Sequence, residues 1–341
     1  MKNKWYEKKG PEGDVVISTR VRFARNLADF PFPGNLTGEK QREIVDICAR
    51  VLSSSEIGDD FQLVEIEQIP KLERQSMVER HLISLELANG EGCRATLLNR
   101  DESISIMVNE EDHLRIQVMG TGLCLEETLQ KAVRLDGVFD SVLKYAFDEN
   151  LGYLTKCPTN LGAGMRASVM LHLPALTESG AIRALASNAG KLGFAVRGMY
   201  GEGSTAKGSL YQISNQMSLG FSEQAIIARL SDAVSKIIEQ ERKSRKDSYE
   251  QNPLVWEDRI WRSAGLLKNS RIMAADEALS LLSDLLIGQS LGILQISSDT
   301  LGSLLWEIQP ASLTQLSGSG ELTAAERDEK RASYLRKTLT L

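Results

Sequence analysis

The segment 157–169 constrains the fold of this chain more than any other part of the sequence. It combines a thiol, an X-Pro step, two glycines and an arginine within one short stretch. Gly162, Gly164 and Ala167 have the spacing of a dinucleotide-binding fingerprint, which requires a strand directly before the first glycine. Pro158 lies where that strand would have to be, and proline interrupts a central strand. We therefore do not expect a Rossmann domain, and we interpret the segment as a preformed anion site.

Composition narrows the possible partners and compartments. The chain has 341 residues, of which 42% are hydrophobic and 25% charged, and this is typical of a globular protein with one or two domains. The net charge of −6 provides no overall basic field, so we expect no direct binding of nucleic acid. The N-terminus lacks a signal-peptide core, and no apolar run has membrane-spanning length. The four cysteines lack metal-ligand spacing, and together these features favour a cytoplasmic protein with reduced thiols.

Hydrophobic periodicity predicts an α+β chain with a helical C-terminal part. Strands are expected at 14–22, 64–69, 93–98, 103–108, 151–155, 194–198 and 209–215, with a further apolar run at 167–173. Helices are expected at 39–52, in part of 71–87, at 123–148 and 178–191, after Ser222, and in much of the chain beyond Pro253. We place a domain boundary in the polar run 239–251, which predicts a catalytic domain at 1–245 and a helical domain at 246–341.

Arginine recurs beside strand ends or glycines in four separate segments. Taken alone, each of these segments could be part of a solvated surface. Taken alone, His81, which precedes two apolar residues, would be interpreted as a structural histidine. Together the arginines favour a polyanion site, because guanidinium groups neutralise the charge on phosphoryl oxygens, which Mg²⁺ usually bridges. The segments contribute Arg20, Arg22, Arg115, Arg166 and Arg197, and two of them add the carboxylates Glu111 and Glu202.

A second pair of arginines lies near the C-terminus. Thr323-Ala-Ala-Glu326 has the form of a capping box and predicts the start of a helix. Arg327 and Arg331 are four residues apart, so they share one face of that helix. The pair is either a solvated helix face or two guanidinium forks that share an anion near the helix N-terminus.

These blocks resemble, in order, the signature motifs of the phosphagen (guanidino) kinases. The blocks are Ser18-Thr-Arg-Val-Arg22, Asn109-Glu-Glu-Asp-His-Leu-Arg115, Cys157-Pro-Thr-Asn, Arg166-Ala-Ser-Val and Arg197-Gly-Met-Tyr-Gly-Glu202. Within that superfamily the chain is most similar to the bacterial protein arginine kinases. The first block lies almost at the start of the chain, so we expect the helical N-terminal domain of arginine and creatine kinases to be missing here. A helical extension follows the last block. That extension contains Arg327-Asp328-Glu-Lys-Arg331-Ala332, which fits a phosphoarginine-binding motif.

The resemblance implies an antiparallel sheet flanked by helices, followed by an all-helical domain. It implies that Glu111 is the catalytic base, that Glu202 helps to hold the substrate guanidinium, and that Cys157 orients or tunes it. It assigns no residue as a metal ligand, and it implies that Arg327, Asp328, Arg331 and Ala332 bind phosphoarginine. MgATP would be bound by Ser18, Thr19, Arg20, Val21, Arg22, His81, Arg115, Arg166, Ala167, Ser168, Val169, Met170, Arg197, Gly198, Met199, Tyr200, Gly201 and Glu202.

The function implied by the resemblance is phosphorylation of arginine side chains on proteins in a stress response. The family marks proteins for the Clp protease and inactivates a heat-shock repressor, and it implies an activator protein and a homodimer. A kinase of a free guanidino metabolite and a non-catalytic phosphoarginine adaptor are the alternatives. Ala163 and Met199 stand where relatives commonly have threonine, which could weaken nucleotide contacts, but no charged residue of the motifs is missing.

Overall fold

The computed structural model describes residues 4–199, 206–318 and 320–340. Its strands are β1 (Val16–Arg25), β2 (Phe61–Glu65), β3 (Ala95–Asn99), β4 (Ile104–Val108), β5 (Leu114–Thr121), β6 (Phe147–Asp148), β7 (Gly152–Tyr153), β8 (Met165–His172), β9 (Phe194–Gly198) and β10 (Leu210–Asn215). Its helices are α1 (Gly38–Ser53), α2 (Lys71–Glu79), α3 (Leu85–Asn89), α4 (Leu125–Asp140), α5 (Pro174–Glu178), α6 (Ile182–Lys191), α7 (Glu223–Gln251), α8 (Pro253–Asn269), α9 (Ala275–Ser290), α10 (Ser298–Glu307), α11 (Pro310–Ser317) and α12 (Ala324–Thr338). A 3₁₀ helix at Trp5–Glu7 precedes the first strand.

Eight of these strands form one sheet in the order β2-β3-β4-β5-β1-β8-β10-β9. Every pairing in that sheet is antiparallel, and β6 and β7 form a separate two-stranded ribbon. The prediction of an α+β fold with an antiparallel sheet is confirmed. The central strand β1 pairs with β5 on one side and with β8 on the other, so residues from three distant segments meet there.

The two faces of the sheet differ because side chains alternate along each strand. Thr19, Val21 and Phe23 face one side, where the apolar residues of the strands pack with α1, α4 and α7 in one hydrophobic core. Arg20 and Arg22 face the other side. A second core lies at the edges of that side and contains methionines from β4, β5 and β8 together with residues of α8, α9, α10 and α12. The middle of the second face therefore remains polar.

A buried polar network connects α7 with the sheet and the helical domain. Glu241 and Arg245 form an ion pair at 2.6 Å, and both side chains are fully buried. Arg245 also donates to the carbonyl oxygen of His172 at 2.8 Å. The ring of His172 lies 2.7 Å from the hydroxyl of Ser283 in α9. Because each of these groups is paired, the network links α7, β8 and α9 without leaving a buried charge unbalanced.

Three predicted elements have bounds that differ from those that their patterns suggest. The helix predicted at 123–148 ends at Asp140, and the residues that follow it lead into the ribbon of β6 and β7. The helix predicted at 178–191 begins later, at Ile182, and ends at Lys191 as predicted. Gly180, whose positive φ of 74° favours glycine, separates it from the short α5. The strand predicted at 64–69 ends at Glu65.

The polar run 239–251 forms the second half of α7 rather than a break in the chain. Its charged residues and glutamines are good helix formers, and the helix ends only at Gln251. Asn252 follows as its C-cap, and Pro253 is the first residue of α8. The domain boundary that we placed in this run stays a prediction. Among the described residues, no helix combines the length and the apolar character that crossing a membrane requires.

Candidate active site

The register of three strands places arginines next to one another on the polar face. Arg22 lies opposite Arg166 across the β1–β8 pairing and opposite Gln117 across the β1–β5 pairing. Arg20 lies opposite Ser168. Directly opposed residues of an antiparallel pair point to the same face with their Cβ atoms about 5 Å apart. These side chains therefore form a short cationic row across the centre of the sheet.

The same register places the two remaining arginines on this face. Arg115 in β5 lies opposite Ala24, which is two residues after Arg22 in β1 and therefore on the same face of the strand. Arg197 in β9 lies opposite Gln212, and Gln212 accepts a hydrogen bond from Arg20 at 2.9 Å. The five arginines of the predicted polyanion site thus share one face, and we call this face, from Arg115 to Arg20, the cationic groove.

Like-charge repulsion acts among the arginines of the groove. Burial, with repulsion from Arg166 and Arg115, lowers the pKa of Arg20 to about 10. Burial and repulsion from Arg20 hold the pKa of Arg22 well below its usual value. Among residues 4–199, 206–318 and 320–340, Arg22 has no hydrogen-bond or ion-pair partner. Like charges this close are tolerated when a polyanion balances them, so the groove has the electrostatic character of a phosphate site.

Two carboxylates lie at the Arg115 end of the groove. Arg115 donates to Glu110 at 2.7 Å and to Glu111 at 2.8 Å. The side chain of Glu110 is 1% exposed and also accepts a hydrogen bond from Ser84, whereas that of Glu111 is 34% exposed. Burial raises the pKa of Glu111, against the opposing effect of Arg115. Glu111 is therefore placed to meet a ligand, while Glu110 holds the guanidinium of Arg115.

Asp112 joins the acidic turn to the cysteine segment. Its Oδ1 atom accepts hydrogen bonds from the side chain of Asn26 at 2.6 Å and from the backbone N–H of Lys156 at 2.8 Å. Cys157 follows directly, half-buried, with its Sγ 3.0 Å from the hydroxyl of Thr159. The hydrogen bond to Lys156 thus holds the start of the cysteine segment beside the acidic turn, and the role of Cys157 stays a prediction. The roles of Asp112 and Glu110 were not predicted, because three consecutive acids do not reveal which one points inward.

His81 lies at the other end of the groove. Its carbonyl oxygen accepts a hydrogen bond from Gln117 at 2.7 Å, and its backbone has a positive φ of 59°. Burial and the charges of Arg20 and Arg22 lower the pKa of His81 to about 3, so the imidazole is neutral at physiological pH. Its ring packs edge-on against that of Trp306 at 5.2 Å.

Alternation along the strands divides the remaining residues expected to bind nucleotide. Ser18, Ser168 and Met170 share the face of the groove. The side chains on the opposite face are fully buried and do not reach the groove, and they are those of Thr19, Val21, Ala167 and Val169. Thr19, for example, donates to the carbonyl oxygen of Gly122 at 2.6 Å. The motifs in β1 and β8 therefore include residues whose side chains pack in the hydrophobic core and which could contact a nucleotide only through their backbone.

The glycine-rich segment after β9 is described only at its start. Gly198 ends the strand, and Met199 is 2% exposed and packs in the second core. Tyr200, Gly201 and Glu202 lie outside the described residues.

Ala163 is buried, and its carbonyl oxygen accepts a hydrogen bond from Arg25 at 3.1 Å.

The C-terminal arginine pair does not form a solvated helix face. Arg331 is 1% exposed and donates to the carbonyl oxygens of Ile308 and Met273, each at 2.8 Å, and to Asp328 at 2.6 Å. Ala332 is buried beside it. This part of the motif therefore ties α12 to the rest of the helical domain.

Arg327, in contrast, lines a cavity of about 510 Å³ between α2 of the catalytic part and α11 of the helical domain. Two further cationic side chains, Lys71 and Arg74, and one carboxylate, Glu79, line the same cavity. The cationic groups offer positive charge for an anion, whereas the carboxylate of Glu79 already accepts hydrogen bonds from the backbone N–H groups of Ala311 and Ser312.

Comparison with protein families gives two matches that together span most of the chain. Residues 43–244 match the family described as ATP:guanido phosphotransferase, C-terminal catalytic domain. Residues 253–341 match the family described as protein-arginine kinase McsB C-terminal domain.

Curated relatives match over nearly the whole chain. The protein-arginine kinase of Caldanaerobacter subterraneus subsp. tengcongensis is 43% identical over 324 residues, which cover 94% of this chain and 96% of the relative. The protein-arginine kinase of Halalkalibacterium halodurans is 45% identical over 339 residues, which cover 99% of this chain and 95% of the relative.

Solved structures match about two thirds of the chain. The substrate-free duplicated taurocyamine kinase from Schistosoma mansoni has a TM-score of 0.59 at 26% identity, and the match covers 67% of this chain and 34% of that protein. Lombricine kinase has a TM-score of 0.60 at 23% identity, and that match covers 71% of this chain and 69% of the other. The second likeness concerns the fold alone.

Proposed function

This chain belongs to the ATP:guanido phosphotransferase family and, within it, to the protein-arginine kinases, and from this membership we propose that the cationic groove binds the triphosphate of MgATP. The chain is an ATP:protein-arginine phosphotransferase. One observation carries the proposal for the site: guanidinium groups from three neighbouring strands share one face beside a partly exposed carboxylate.

The proposed roles follow the order of residues along the groove. Arg20, Arg22 and Arg166 would neutralise the oxygens of the phosphate chain, and Arg115 would contact the transferred phosphoryl group next to the acids. Arg197 would close the row from β9. Guanidinium groups cannot ligate a cation, so Mg²⁺ would be held by the phosphate oxygens and would enter as part of the substrate MgATP.

The acceptor in this proposal is an arginine side chain of a protein. A guanidinium has a pKa above about 12 and is a poor nucleophile until a base removes a proton. Glu111 would accept N–H bonds from the guanidinium and aim one nitrogen at the γ-phosphorus. As the new N–P bond forms, the bond from phosphorus to the bridging oxygen breaks, ADP leaves, and the proton passes to Glu111. The raised pKa of Glu111 favours this transfer.

The pairing of Arg115 suits this mechanism. In this structure its guanidinium is shared between Glu110 and Glu111. An incoming guanidinium would compete for Glu111, while Glu110, which is buried and bonded to Ser84, would keep Arg115 in place. We place Cys157 beside the substrate in an orienting role and propose that Glu202 supplies a second carboxylate.

A transfer assay tests the proposed activity against its alternatives. The protein is incubated with MgATP labelled at the γ-phosphate and either an arginine-rich protein or free arginine. We expect acid-labile label on protein arginine. Label on free arginine alone would support a kinase of a free guanidino metabolite. No transfer to either acceptor would support a non-catalytic phosphoarginine adaptor and would overturn the proposal.

We further propose that the cavity lined by Arg327 binds phosphoarginine and influences activity. Arg327, Arg74 and Lys71 would contact the phosphoryl group. Asp328 and the buried Arg331 would support this site by fixing α12.

The cellular roles that we propose rest on the family resemblance alone. They are the marking of proteins for the Clp protease, the inactivation of a heat-shock repressor, control by an activator protein, a homodimeric assembly, and a cytoplasmic place in the stress response. The marking of proteins and the inactivation of a repressor both require protein-arginine phosphorylation, so the transfer assay is the first test of these two roles.

A further inference from the structure

An aromatic cluster closes the Arg20 end of the cationic groove. Its rings come from the 3₁₀ helix at the start of the chain and from α10 of the helical domain. Trp306 lies 5.6 Å from Trp5, 6.1 Å from Tyr6 and 5.2 Å from His81, measured between ring centroids. A residue of the helical domain therefore contacts the one histidine that we expect beside the nucleotide.

The contact between Trp306 and the groove is close. Trp306 is 2% exposed and shares with Arg20, His81 and Gln212 the lining of a recess of only about 10 Å³. That volume holds about one water molecule. The ring therefore supports the residues of the groove directly and does not merely cover them at a distance.

The helical domain also holds the backbone next to His81. Glu79, two residues earlier, accepts hydrogen bonds from the backbone N–H groups of Ala311 and Ser312 at 2.9 and 2.8 Å, at the start of α11. On its other side, the carbonyl oxygen of His81 is bound by Gln117, whose side chain lies on the face of the groove. The histidine is thus held between the helical domain and the sheet.

We propose that Trp306 is a positioning residue for the nucleotide, so that the helical domain forms one wall of the nucleotide site. Its ring fixes the spacing of His81 and Arg20, and loss of the ring leaves a cavity into which both can relax. The effect falls on nucleotide binding rather than on phosphoryl transfer, because the reacting groups lie at the Arg115 end of the groove. This inference rests on the proposed function of the groove.

The test compares four variants of the full-length protein. Trp306→Leu removes the ring, and Trp306→Phe keeps an aromatic ring. Trp256→Leu controls for the loss of a buried indole in the same domain, since Trp256 is 6% exposed in α8 and donates to Ser248 at 3.0 Å. Trp261→Leu controls for the same change at a side chain that is 55% exposed.

The measured quantities are the dissociation constant of MgADP by calorimetry, and KM for MgATP and kcat with an arginine-rich protein. We expect Trp306→Leu to raise the dissociation constant of MgADP and the KM for MgATP by about tenfold, which is the effect of losing about one well-placed hydrogen bond. We expect kcat to stay within about threefold of the wild-type value. Trp306→Phe should lie within about threefold of wild type in all three quantities. Both control variants should bind MgADP as the wild type does.

Unchanged MgADP affinity in folded Trp306→Leu would overturn the inference. An equal loss of affinity in Trp256→Leu would also overturn it, because general destabilisation of the helical domain would then explain the result. If Trp306→Leu does not fold, intrinsic fluorescence decides: MgADP should change the emission of the wild type, and Trp306→Phe should lose most of that change. Full retention in Trp306→Phe would refute the contact.

The proposed function and this inference fail in different ways. A wild-type protein that neither binds MgADP nor transfers phosphoryl groups contradicts the proposed function itself. A wild-type protein that does both, with Trp306→Leu unaffected, contradicts only the role of Trp306.

Discussion

Replacing Arg22 with methionine should stabilise the nucleotide-free protein and weaken its binding of nucleotide. Arg22 has no hydrogen-bond or ion-pair partner in the part of the chain that the structure describes. Burial and repulsion from Arg20 and Arg115 hold its pKa well below the usual value. A partly buried charge of this kind raises the free energy of the folded state, whereas methionine has a similar length and no charge.

The neighbouring Arg20 provides the scale of the effect. The same kinds of cause, burial and repulsion from neighbouring arginines, lower the pKa of Arg20 from the usual value of an arginine side chain to about 10. At 1.36 kcal/mol per pKa unit this corresponds to about 3 kcal/mol. Because these side chains are only partly buried, solvent screens part of the effect, and we expect about 1–2 kcal/mol more unfolding free energy for Arg22→Met.

Thermal unfolding followed by circular dichroism, with and without MgADP, measures both consequences. The wild type should gain stability from MgADP by mass action, and Arg22→Met should lose most of that gain. A lost hydrogen bond to a charged group corresponds to about 1.5–3 kcal/mol, or about 10- to 100-fold in the dissociation constant. In the absence of MgADP, the variant should unfold at a higher temperature than the wild type.

Arg25→Met is the matched control, because Arg25 lies on the same strand but is paired. It is 1% exposed and forms an ion pair with Asp136 at 2.7 Å. Removing one partner of a buried pair should lower the unfolding free energy by about 3–5 kcal/mol. The reasoning is refuted if Arg22→Met unfolds below the wild-type temperature and binds MgADP normally, since Arg22 would then be a structural residue.

Further predictions concern the base and the helical domain. Glu111→Gln should reduce transfer by at least about 10²-fold with near-normal MgADP binding in calorimetry, and retained turnover would remove Glu111 from the role of base. Because burial raises the pKa of Glu111, kcat/KM should fall as the pH drops through that raised pKa; an identical acidic limb in the residual activity of Glu111→Gln would assign the titration to another group. Arg327→Ala should weaken phosphoarginine binding by about tenfold or more in calorimetry, and equal affinity would contradict the proposed cavity site. Arg331→Ala should lower the melting temperature, because the carbonyl oxygens of Ile308 and Met273 lose their donor, and an unchanged melting temperature would argue against its structural role.

Local patterns predicted most of the elements that position the site. The alternation around Ser18, Arg20 and Arg22 indicated a strand, and β1 contains all three. The capping box of Thr323 and Glu326 is present at the start of α12. These signals work because a strand face and a helix start depend on residues close together in sequence.

The same patterns failed where distant contacts intervene. Nothing near Asp140 marks the end of α4, since the ribbon that follows is held by pairing between β6 and β7. Arg331 has the sequence surroundings of a solvated helix residue, yet two carbonyl oxygens from other segments bind it in the interior. Sequence spacing identifies a shared helix face but not what that face packs against.

By itself, the sequence determined which side chains share a face of each strand or helix, and its motifs identified the family to which the chain belongs. Only the tertiary structure decided that Arg22 lies beside Arg166, that Glu110 rather than Glu111 is buried, and that Trp306 packs against His81. The reason is that strand pairing and packing between domains depend on the combined contacts of segments far apart in the chain. A local pattern specifies the chemistry that a segment presents, but it contains no information on which segment will meet it.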